Sequence, residues 1–482
     1  MINNIADKVL NLTLKDVKID VSDTGDQYDW DQKGKAALSV QGDGNVEIEL
    51  DGDNELKSGT QSAGLEKNST GTLTLKDDNK EAGSLTATGG FNSAGIGGGY
   101  LGDGKNITIT GGTVTATGNE DGAGIGGGSS GSGENITITG GTVNATGDGG
   151  AGIGGGNGGD GKNITITGGT VEATGYFGST GIGGGNGSDG ENITIIGGSV
   201  TATGGEFAAG IGGGSVGFWG GESGSGKNIT INGGTVNATG TDGGAGIGGG
   251  ENGNGEDITI NGGKVNASGA YGGAGIGGGV NGIGSKVTVS GAAQVTATAT
   301  GSGPDWSGVG TGATIGNGGS KTPDGPVDGK EIQADISGLT TGYIHHIIYN
   351  PDLDSDGKPD GILKEWWEFA LPKPIPDGES LDLHVETLKG APLLFNTRQQ
   401  GSTLRVTTDN LSARLHGTRQ ALETLQEQGV EQIQFVTTLK TTTLSVAELL
   451  AEEGSWFALE HDGLASRRLS AAQAESLKCW RH

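Results

Sequence analysis

The chain has 482 residues, of which 106 are glycine and only 9 are proline, and aromatic residues make up 4%. This glycine content lies far above the usual share of about 7% and follows no strict three-residue period, which excludes collagen and disfavours a large conventional core. The net charge of −28 disfavours nucleic acid and anionic membranes as partners, because both are bound through basic patches. A single cysteine, Cys479, excludes a disulfide framework.

The first twenty residues, "MINNIADKVLNLTLKDVKID", alternate apolar and polar positions and predict a strand. We find neither a signal peptide nor a transmembrane run and expect no membrane insertion. If the protein is secreted, we expect its export signal to be missing from this chain.

A glycine-rich block, Gly-Ile-Gly-Gly-Gly, recurs at intervals of 29, 28, 29, 29, 36 and 29 residues, with its isoleucine at positions 96, 125, 153, 182, 211, 247 and 276. Self-similarity at such a period predicts a solenoid, in which each unit buries its apolar face against its neighbours. The long interval holds an insertion, "SVGFWGGESGSG".

Each unit, for example residues 105–128, contains two short runs with the period of two that is typical of strands. Ile107 and Ile109 share one side of the first run, and Val114 and Ala116 share one side of the second. With the glycine block as a third face, the sequence predicts an all-β parallel β-helix of about 29 residues per coil, its coils about 4.8 Å apart. Equivalent residues would then stack in columns: Ile107, Ile136, Ile164, Ile193, Ile229, Ile258 and Val287, and Val114, Val143, Val171, Val200, Val236, Val265 and Val295.

The stretch "GAGIGGG" at 122–128 also fits the phosphate-binding pattern G-x-G-x-x-G through Gly122, Gly124 and Gly127. That pattern requires a following helix and usually occurs once. Here no helix can follow and the block recurs seven times, so we interpret it as a glycine-packed face with one inward isoleucine.

Two further columns are expected on the outside. Asparagines begin the first strand of successive units and predict a hydrogen-bonded amide ladder, at Asn106, Asn135, Asn163, Asn192 and Asn228. The residue before each alternates in charge and predicts ion pairs that set the register, at Lys105, Glu134, Lys162, Glu191, Lys227 and Glu256.

A mixed aromatic and acidic column lies five residues before each isoleucine of the glycine block, at Phe91, Glu120, Asp148, Phe177, Glu206, Asp242 and Tyr271. Tyr176 and Phe207 lie beside it, and Trp219 is in the insertion. Flat rings with carboxylates between them predict a carbohydrate-binding surface. The alternative is that the rings only cover the corners of a glycine-rich coil.

Residues 1 to 344 contain no histidine, cysteine or arginine. This excludes Ser/His and Cys/His catalysis and the usual zinc sites in that part of the chain. A lysine base beside calcium, or a pair of carboxylates, would remain for an enzyme. No such pair stands out, so we predict a non-enzyme with no catalytic residues.

The repeat decays after about residue 285, and a Pro/Gly/Asp-rich stretch, 321–331, predicts a boundary. Beyond it, "DLDSDGKPDG" has the spacing of a calcium loop, with ligands at Asp352, Asp354, Asp356 and Asp360. The closing glutamate is absent, because the twelfth position is Leu363, and an acidic turn is the alternative.

We therefore divide the chain into a β-helix (1–320), a linker with the calcium loop (321–379), a small α+β module (380–463) and a disordered tail (464–482). Within the module, "SARLHGTRQALETLQEQG" predicts an amphipathic helix that ends at Gly429.

The N-terminal "LTLKDVKIDV" and "KAALSVQGDGNVEIELDGDNEL", followed by "GGTVTATG" and "AGIGGG" units, resemble the carbohydrate-binding β-helix proteins of clostridia and their relatives over residues 8 to 300. The resemblance implies a right-handed, extracellular or cell-surface β-helix, often loaded with calcium, that binds plant-type polysaccharides without cleaving them. A bacterial surface stalk or adhesin, and a polysaccharide lyase or hydrolase, are the alternatives. The oligomeric state is not predicted.

Overall fold

The computed structural model describes residues 1–29, 31–79, 81–216, 223–301, 309–351, 361–369 and 382–476. The chain forms two compact units. The first comprises residues 1–335 and 344–368, and the second comprises 336–343 and 369–482. No helix in the described part of the chain is long and apolar enough to cross a membrane.

The first unit is a solenoid with three parallel faces. The glycine face consists of Ile2–Asn4, Leu38–Gly42, Leu65–Lys67, Ile96–Gly97, Ile125–Gly126, Ile153–Gly154, Ile182–Gly183, Ile211–Gly212, Ile247–Gly248, Ile276–Gly277 and Ile315–Gly316. The isoleucine face consists of Val9–Lys15, the first half of Asn45–Lys57, Leu73–Lys76, Gly104–Ile109, Gly133–Ile138, Gly161–Ile166, Gly190–Ile195, Gly226–Ile231, Gly255–Ile260 and Gly284–Val289. The valine face consists of Lys18–Asp20, the second half of Asn45–Lys57, Gly83–Thr88, Thr113–Thr117, Thr142–Thr146, Thr170–Thr174, Ser199–Thr203, Thr235–Thr239, Lys264–Ser268 and Gln294–Thr300.

The predicted columns are confirmed by the strand register. Ile107 pairs with Ile136, which pairs with Ile164, and Val114 pairs with Val143 in the same way. These side chains have 0% exposed surface, because each is covered by its equivalents above and below and by the other two faces. The fold is the predicted right-handed parallel β-helix, in which β-branched residues at alternate positions fill a narrow core.

The glycine face has a steric cause. At Gly126, φ is +140° and an added Cβ would lie 1.8 Å from the carbonyl oxygen of Gly154 in the next coil. The same clash recurs at 1.9 Å between Gly154 and Gly183. The backbone N–H of Gly127 donates to the Gly154 oxygen at 3.0 Å, so it is committed to the next coil and does not form a phosphate cradle.

The predicted asparagine ladder is also confirmed. Asn135, Asn163, Asn192 and Asn228 each donate a side-chain amide to the asparagine of the preceding coil at 3.1 to 3.2 Å. Each ladder residue has a φ of about +55°, a left-handed conformation that asparagine tolerates better than most side chains. Lys105 and Ile107 each have a register partner in the strand of the next coil, but Asn106 between them has none. The ladder residue is therefore a bulge in the strand.

The alternating charges stack as predicted, but their main partners are aspartates that the prediction had not assigned. Lys105 contacts Asp103 at 2.9 Å and Glu134 at 3.3 Å. Lys227 contacts Asp189 of the preceding coil at 2.7 Å and Glu191 at 3.9 Å. The aspartates lie in the turns that precede the strands, and there they approach the lysines more closely than the glutamates do.

The C-terminal end of the solenoid is closed by residues that the sequence assigned to a linker. On the isoleucine face, the last residue of strand Gly284–Val289 donates its backbone N–H to the carbonyl oxygen of Asp335 at 2.9 Å. Gln294–Thr300 pairs with the strand Tyr343–Tyr349, and Ile332 N–H donates to the Ile315 oxygen at 2.9 Å. The last coil is therefore covered on all three faces. A further strand, Ile362–Phe369, lies in the region predicted as linker, and a hairpin, Ser320–Thr322 with Gly325–Val327, begins at the last residue of the predicted β-helix and continues into that region.

The second unit is an α+β module with two four-stranded sheets. One sheet contains Leu383–Glu386, Ser412–Thr418, Trp456–Asp462 and Ala465–Leu469. The other contains Asn396–Gln400, Thr403–Thr407, Gln432–Val436 and Thr441–Ser445. The helices are Arg419–Glu427, Val446–Ala451 and Ala471–Ser476, and a core around Phe435 and Leu415 joins the elements.

Two predictions for this unit were wrong. The predicted helix over 412–429 is a strand as far as Thr418, whose side chain then caps the helix by accepting from Ala421 N–H. The residues from 412 to 418 pair with Trp456–Asp462, a long-range contact that overrides the local helical spacing. Residues 465–476 of the predicted disordered tail form a strand and a helix, because Ala465–Leu469 completes the sheet edge.

Candidate functional site

The aromatic and acidic column lies at the corner between the valine face and the glycine face. Each of its members occupies a tight turn five residues before a buried isoleucine. The left-handed residue of this turn is the column member itself at Glu120, Phe177, Asp242 and Tyr271, with φ between +46° and +51°. In the other coils the left-handed residue is the following one, at Asn92, Gly149 and Phe207, and after Phe177, Asp242 and Tyr271 the next glycine is left-handed as well, so the turn conformation varies between coils.

The most exposed rings of the corner belong to neighbouring residues, Tyr176 and Phe177, which we call the exposed pair. Their side chains are 52% and 64% exposed. The backbone beneath them is held firmly, because Asn186 donates its side-chain amide to the Phe177 oxygen at 2.6 Å and the Ser179 hydroxyl donates to the Tyr176 oxygen at 2.5 Å. Two flat rings are thus presented to solvent on an ordered turn.

The remaining predicted rings are less accessible. Phe91 and Tyr271 are half-buried. Phe207 is only 9% exposed and has a φ of +67°. Phe207 lies four residues before Ile211, and the equivalent residues in the adjacent coils are Gly178 and Gly243. Its side chain covers the corner. Its assignment to a carbohydrate-binding surface was therefore wrong, and the corner-covering alternative applies to this residue.

The carboxylates of the column lie next to one another in consecutive coils. Burial raises the pKa of Asp148, and the nearby charges of Glu120 and Asp121 raise it further. The pKa of Asp242 is raised in the same way by burial and by Glu206. Glu120 and Glu206 themselves are exposed. The surface on both sides of the exposed pair is consequently strongly acidic.

A second set of backbone contacts makes the corner rigid. In successive coils the residue four positions after the isoleucine donates its N–H to the corner carbonyl of the preceding coil. Ser129 donates to Asn92 at 3.0 Å, Asn157 to Asp121 at 2.8 Å and Ser215 to Gly178 at 2.7 Å. Every turn is therefore tied to the loop of the next coil, which restricts movement of the side chains that it carries.

Some predicted site residues lie outside the described residues. Trp219 is one of them, and so are the four predicted calcium ligands, Asp352, Asp354, Asp356 and Asp360. The calcium site stays a prediction. Within the ranges that the structure describes, no group of three or more histidine, cysteine or acidic side chains is arranged to hold a metal ion.

Sequence reasoning missed a cluster of rings and acids at the capped end of the solenoid. His345 stacks on Trp367 with ring centres 3.7 Å apart, and His346 stacks on Trp366 at 4.5 Å. Nε2 of His345 lies 2.6 Å from a carboxylate oxygen of Glu365. The doublets "HH" and "WW" were the available signal, because alternate residues of two adjacent strands can face one another.

Burial controls the charge of this cluster. His346 is 2% exposed, its Nδ1 lies 2.5 Å from the Thr314 hydroxyl, and burial lowers its pKa to about 4. Burial also raises the pKa of Glu331, although hydrogen bonds from Thr314 and Ile315 oppose that rise. Because His346 is buried, the cluster leaves no room for a large ligand at this residue. We interpret its role as structural: it stabilises the cap, the strands that close the last coil.

Comparison with known proteins supports the architecture of the first unit. A family model described as "Beta helix repeat" matches residues 81–100, 107–129, 136–157, 164–186, 193–215, 229–251 and 258–280. No curated protein and no solved structure was found to match. Beta-helix repeats occur in enzymes and in non-enzymes, so the match identifies the repeat and not an activity. The chain therefore contains a parallel β-helix repeat domain whose matched segments coincide with the stacked coils.

Proposed function

We propose that the solenoid is a non-catalytic module that binds polysaccharide through the exposed pair, Tyr176 and Phe177. The observation that carries the proposal is the conformation of Phe177, an aromatic residue that is 64% exposed at a φ of +46°. A bulky side chain is uncommon in this conformation, which costs about 1–2 kcal/mol relative to glycine. A corner that needed only a turn would be more stable with glycine at this position, because glycine adopts a positive φ at little steric cost.

The chemistry of the surroundings suits carbohydrate. Sugar rings present apolar C–H faces that pack on aromatic rings, while their hydroxyl groups bond to carboxylates. Glu206 and Asp148 supply carboxylates in the coils on either side of Phe177. Because these groups and the net charge of −28 repel anions, the proposed ligand is a neutral glycan such as xylan or a β-glucan, in preference to acidic pectin.

Affinity electrophoresis of the full chain against soluble xylan, hydroxyethyl cellulose and pectin, with and without calcium, tests the proposal. We expect retardation by a neutral glycan. The variant Phe177→Gly should lose that retardation while melting at the same or a higher temperature, because glycine removes the ring and the backbone strain together.

Leu101→Gly is the matched control. Leu101 is 62% exposed at a φ of +58°, so this change relieves the same strain and removes an exposed apolar side chain that is not aromatic. We expect it to leave retardation unchanged. Equal retardation of the wild-type chain and the Phe177→Gly variant would reject the exposed pair as the binding surface. No retardation by any glycan would favour the alternative, a surface stalk or adhesin.

A calcium contribution is part of the same proposal. It rests on the spacing of Asp352, Asp354, Asp356 and Asp360 alone. Calcium binding is tested independently of glycan binding by calorimetric titration of calcium into protein from which a chelator has removed metal ions. The titration is repeated with the variants Asp354→Asn and Asp356→Asn. Extracellular or cell-surface location is proposed on the resemblance of the repeats, and surface labelling of cells that express the natural gene would test it.

A further inference from the structure

The outward side of the valine face carries almost only hydroxyl side chains. From strand Gly83–Thr88 to strand Thr235–Thr239, every outward residue is serine or threonine except Asn144, Glu172 and Asn237. We call this stretch the hydroxyl face. All of its outward residues are exposed or half-buried.

The hydroxyl face is also nearly free of charge, although the chain has a net charge of −28. Glu172 is its one outward charged residue. Charged residues return at both ends, with Glu55 and Lys57 in the strand before it and Lys264 in the strand after it. The neighbouring isoleucine face, by contrast, carries the alternating lysines and glutamates described above. A face without such charges excludes ionic ligands and favours a neutral one.

The hydroxyl groups of this face are not used within the protein. In the part of the chain that the structure describes, Ser84 is the only member whose hydroxyl bonds to another protein group. Buried threonines elsewhere do form such bonds, as Thr180 does with the Gly184 oxygen at 2.9 Å. Surface hydroxyls without a protein partner bond to water, so the face is covered by a bound water layer.

The hydroxyl groups form a regular two-dimensional grid. Thr113 pairs with Thr142, which pairs with Thr170, and Thr117 pairs with Thr146 in the same way. Neighbouring strands lie about 4.8 Å apart, and alternate residues of one strand lie about 6.7 Å apart. The grid extends about 24 Å along the axis of the solenoid and about 13 Å across it.

The grid is held in place from beneath. Val114 and Ala116, which alternate with the threonines of their strand, have 0% exposed surface. Because threonine is branched at Cβ, its side chain has few allowed rotamers, and the repeated backbone gives each coil the same choice. Water molecules that bind to these hydroxyls therefore take up the spacing of the grid.

Ice is a ligand whose surface has this spacing. On a prism face of hexagonal ice, oxygen atoms repeat in two perpendicular directions at distances within about a tenth of those of the grid. The ice surface is neutral, as the hydroxyl face requires. A dissolved glycan chain is periodic in one direction only and matches one spacing of the grid.

We propose that the hydroxyl face binds to ice crystals and stops their growth. The threonine hydroxyls occupy positions of water molecules in the ice surface, and the methyl groups lie in the spaces between them. Glu172 interrupts the central column and weakens the contact. The proposal does not depend on glycan binding, because the exposed pair lies on the corner and not on this face.

Nanolitre osmometry of the full chain tests the proposal by measuring thermal hysteresis, the gap between the melting and freezing temperatures of a single ice crystal. We expect a gap that widens with protein concentration and crystals with facets. Thr115→Lys should lose most of this gap, because a hydrated ammonium group in the centre of the grid separates the face from ice. Glu172→Thr should widen the gap, because it removes the charge and fills the central column.

Thr108→Lys is the matched control. Thr108 lies in the same coil as Thr115, is outward and half-buried like it, and belongs to the isoleucine face. This variant should keep the gap of the wild-type chain. Circular dichroism of each variant verifies that the solenoid is folded.

A wild-type chain without thermal hysteresis would overturn the proposal, and so would equal losses from Thr115→Lys and Thr108→Lys or a gap that Glu172→Thr narrows. Affinity electrophoresis of Thr115→Lys separates ice binding from glycan binding, and we expect its retardation by glycans to equal that of the wild-type chain. Lost retardation in a chain without hysteresis would assign the hydroxyl face to glycan and reject ice as its ligand.

Discussion

Asn135 donates its side-chain amide to the Oδ1 atom of Asn106 in the preceding coil at 3.1 Å, and both residues have a φ near +55°. One residue type therefore meets two requirements at this place. It tolerates the left-handed backbone, and it links neighbouring coils through its side chain. Neither requirement by itself explains why asparagine is repeated. Glycine would also tolerate the left-handed backbone, and serine or threonine could form part of the side-chain hydrogen bonding between coils.

Substitutions at Asn163 separate these two contributions. Asn163 donates to Asn135 and accepts from Asn192, both at 3.2 Å. Asn163→Gly loses the ladder bonds and should destabilise its coil by about 0.5–1.5 kcal/mol. Asn163→Ala also forces alanine into the left-handed region and should cost about 1–2 kcal/mol more. Hydrogen exchange of amides in the adjacent coils measures both, and equal stability of the two variants would contradict this assignment.

The glycine face is expected to reject a single methyl group. Gly154→Ala would place a Cβ 1.9 Å from the Gly183 oxygen at a φ of +141°. Because backbone atoms of the next coil must move, we expect a loss of more than about 4 kcal/mol or no soluble protein.

The control for this change is Gly158→Ala, also at a positive φ of +70°, where the nearest atom to an added Cβ is 4.0 Å away. It should cost only the conformational strain, about 1–2 kcal/mol. Thermal melting of the two variants tests the difference, and similar melting temperatures would show that the close contact of the coils is unimportant.

Asp148 is predicted to destabilise the corner at neutral pH. Its pKa in the folded chain is raised by burial and by Glu120 and Asp121. A carboxyl with a raised pKa lowers stability as the pH rises from the unfolded value of 3.8 through the folded value, and the penalty remains above that. Asp148→Asn should therefore raise the melting temperature at neutral pH but not at about pH 3. Solvent screening keeps the gain below about 1 kcal/mol.

Glu172→Gln is the control, since it removes one negative charge at an exposed position of the valine face. An equal gain from this variant would show that the effect of Asp148→Asn comes from net charge and not from the corner.

The cap is predicted to weaken in acid through His346. Burial lowers the pKa of this residue from 6.5 to about 4. The unfolded form gains a proton below pH 6.5 that the folded form does not accept, so stability is lost as the pH falls from about 6.5 to about 4. The loss is about 2–3 kcal/mol, and we expect it in hydrogen exchange of the Tyr343–Tyr349 amides.

Glu368 lies 3.7 Å from Nε2 of His346, and the charges of His345 and Lys364 act on this ring. Glu331 accepts a hydrogen bond from the same Thr314 hydroxyl that contacts His346. The raised pKa values of Glu331 and Glu368 act in the opposite direction, because protonation of these carboxyls in acid removes a burial penalty. His346→Gln should therefore remove the acid sensitivity of the cap. An unchanged pH dependence in that variant would assign the effect to other groups.

Much of the solenoid was predictable from the sequence because each coil contacts mainly the coils directly before and after it. Ile107 meets Ile136 since each coil packs on the next, so the period of the sequence determines which residues touch. The aspartates that bind Lys105 and Lys227 were not predicted, because their approach depends on the conformation of the turns.

By itself, the sequence determined the faces, the inward residues and the ladder, since a period of two within strands and a period of about 29 between coils leave one way to bury the apolar side chains. Only the tertiary structure decided that Phe207 is buried while Phe177 is exposed, and that residues 330–335 and 344–349 close the last coil. Those outcomes depend on the turn conformation at each corner and on pairing between segments that do not repeat, which a periodic pattern does not encode.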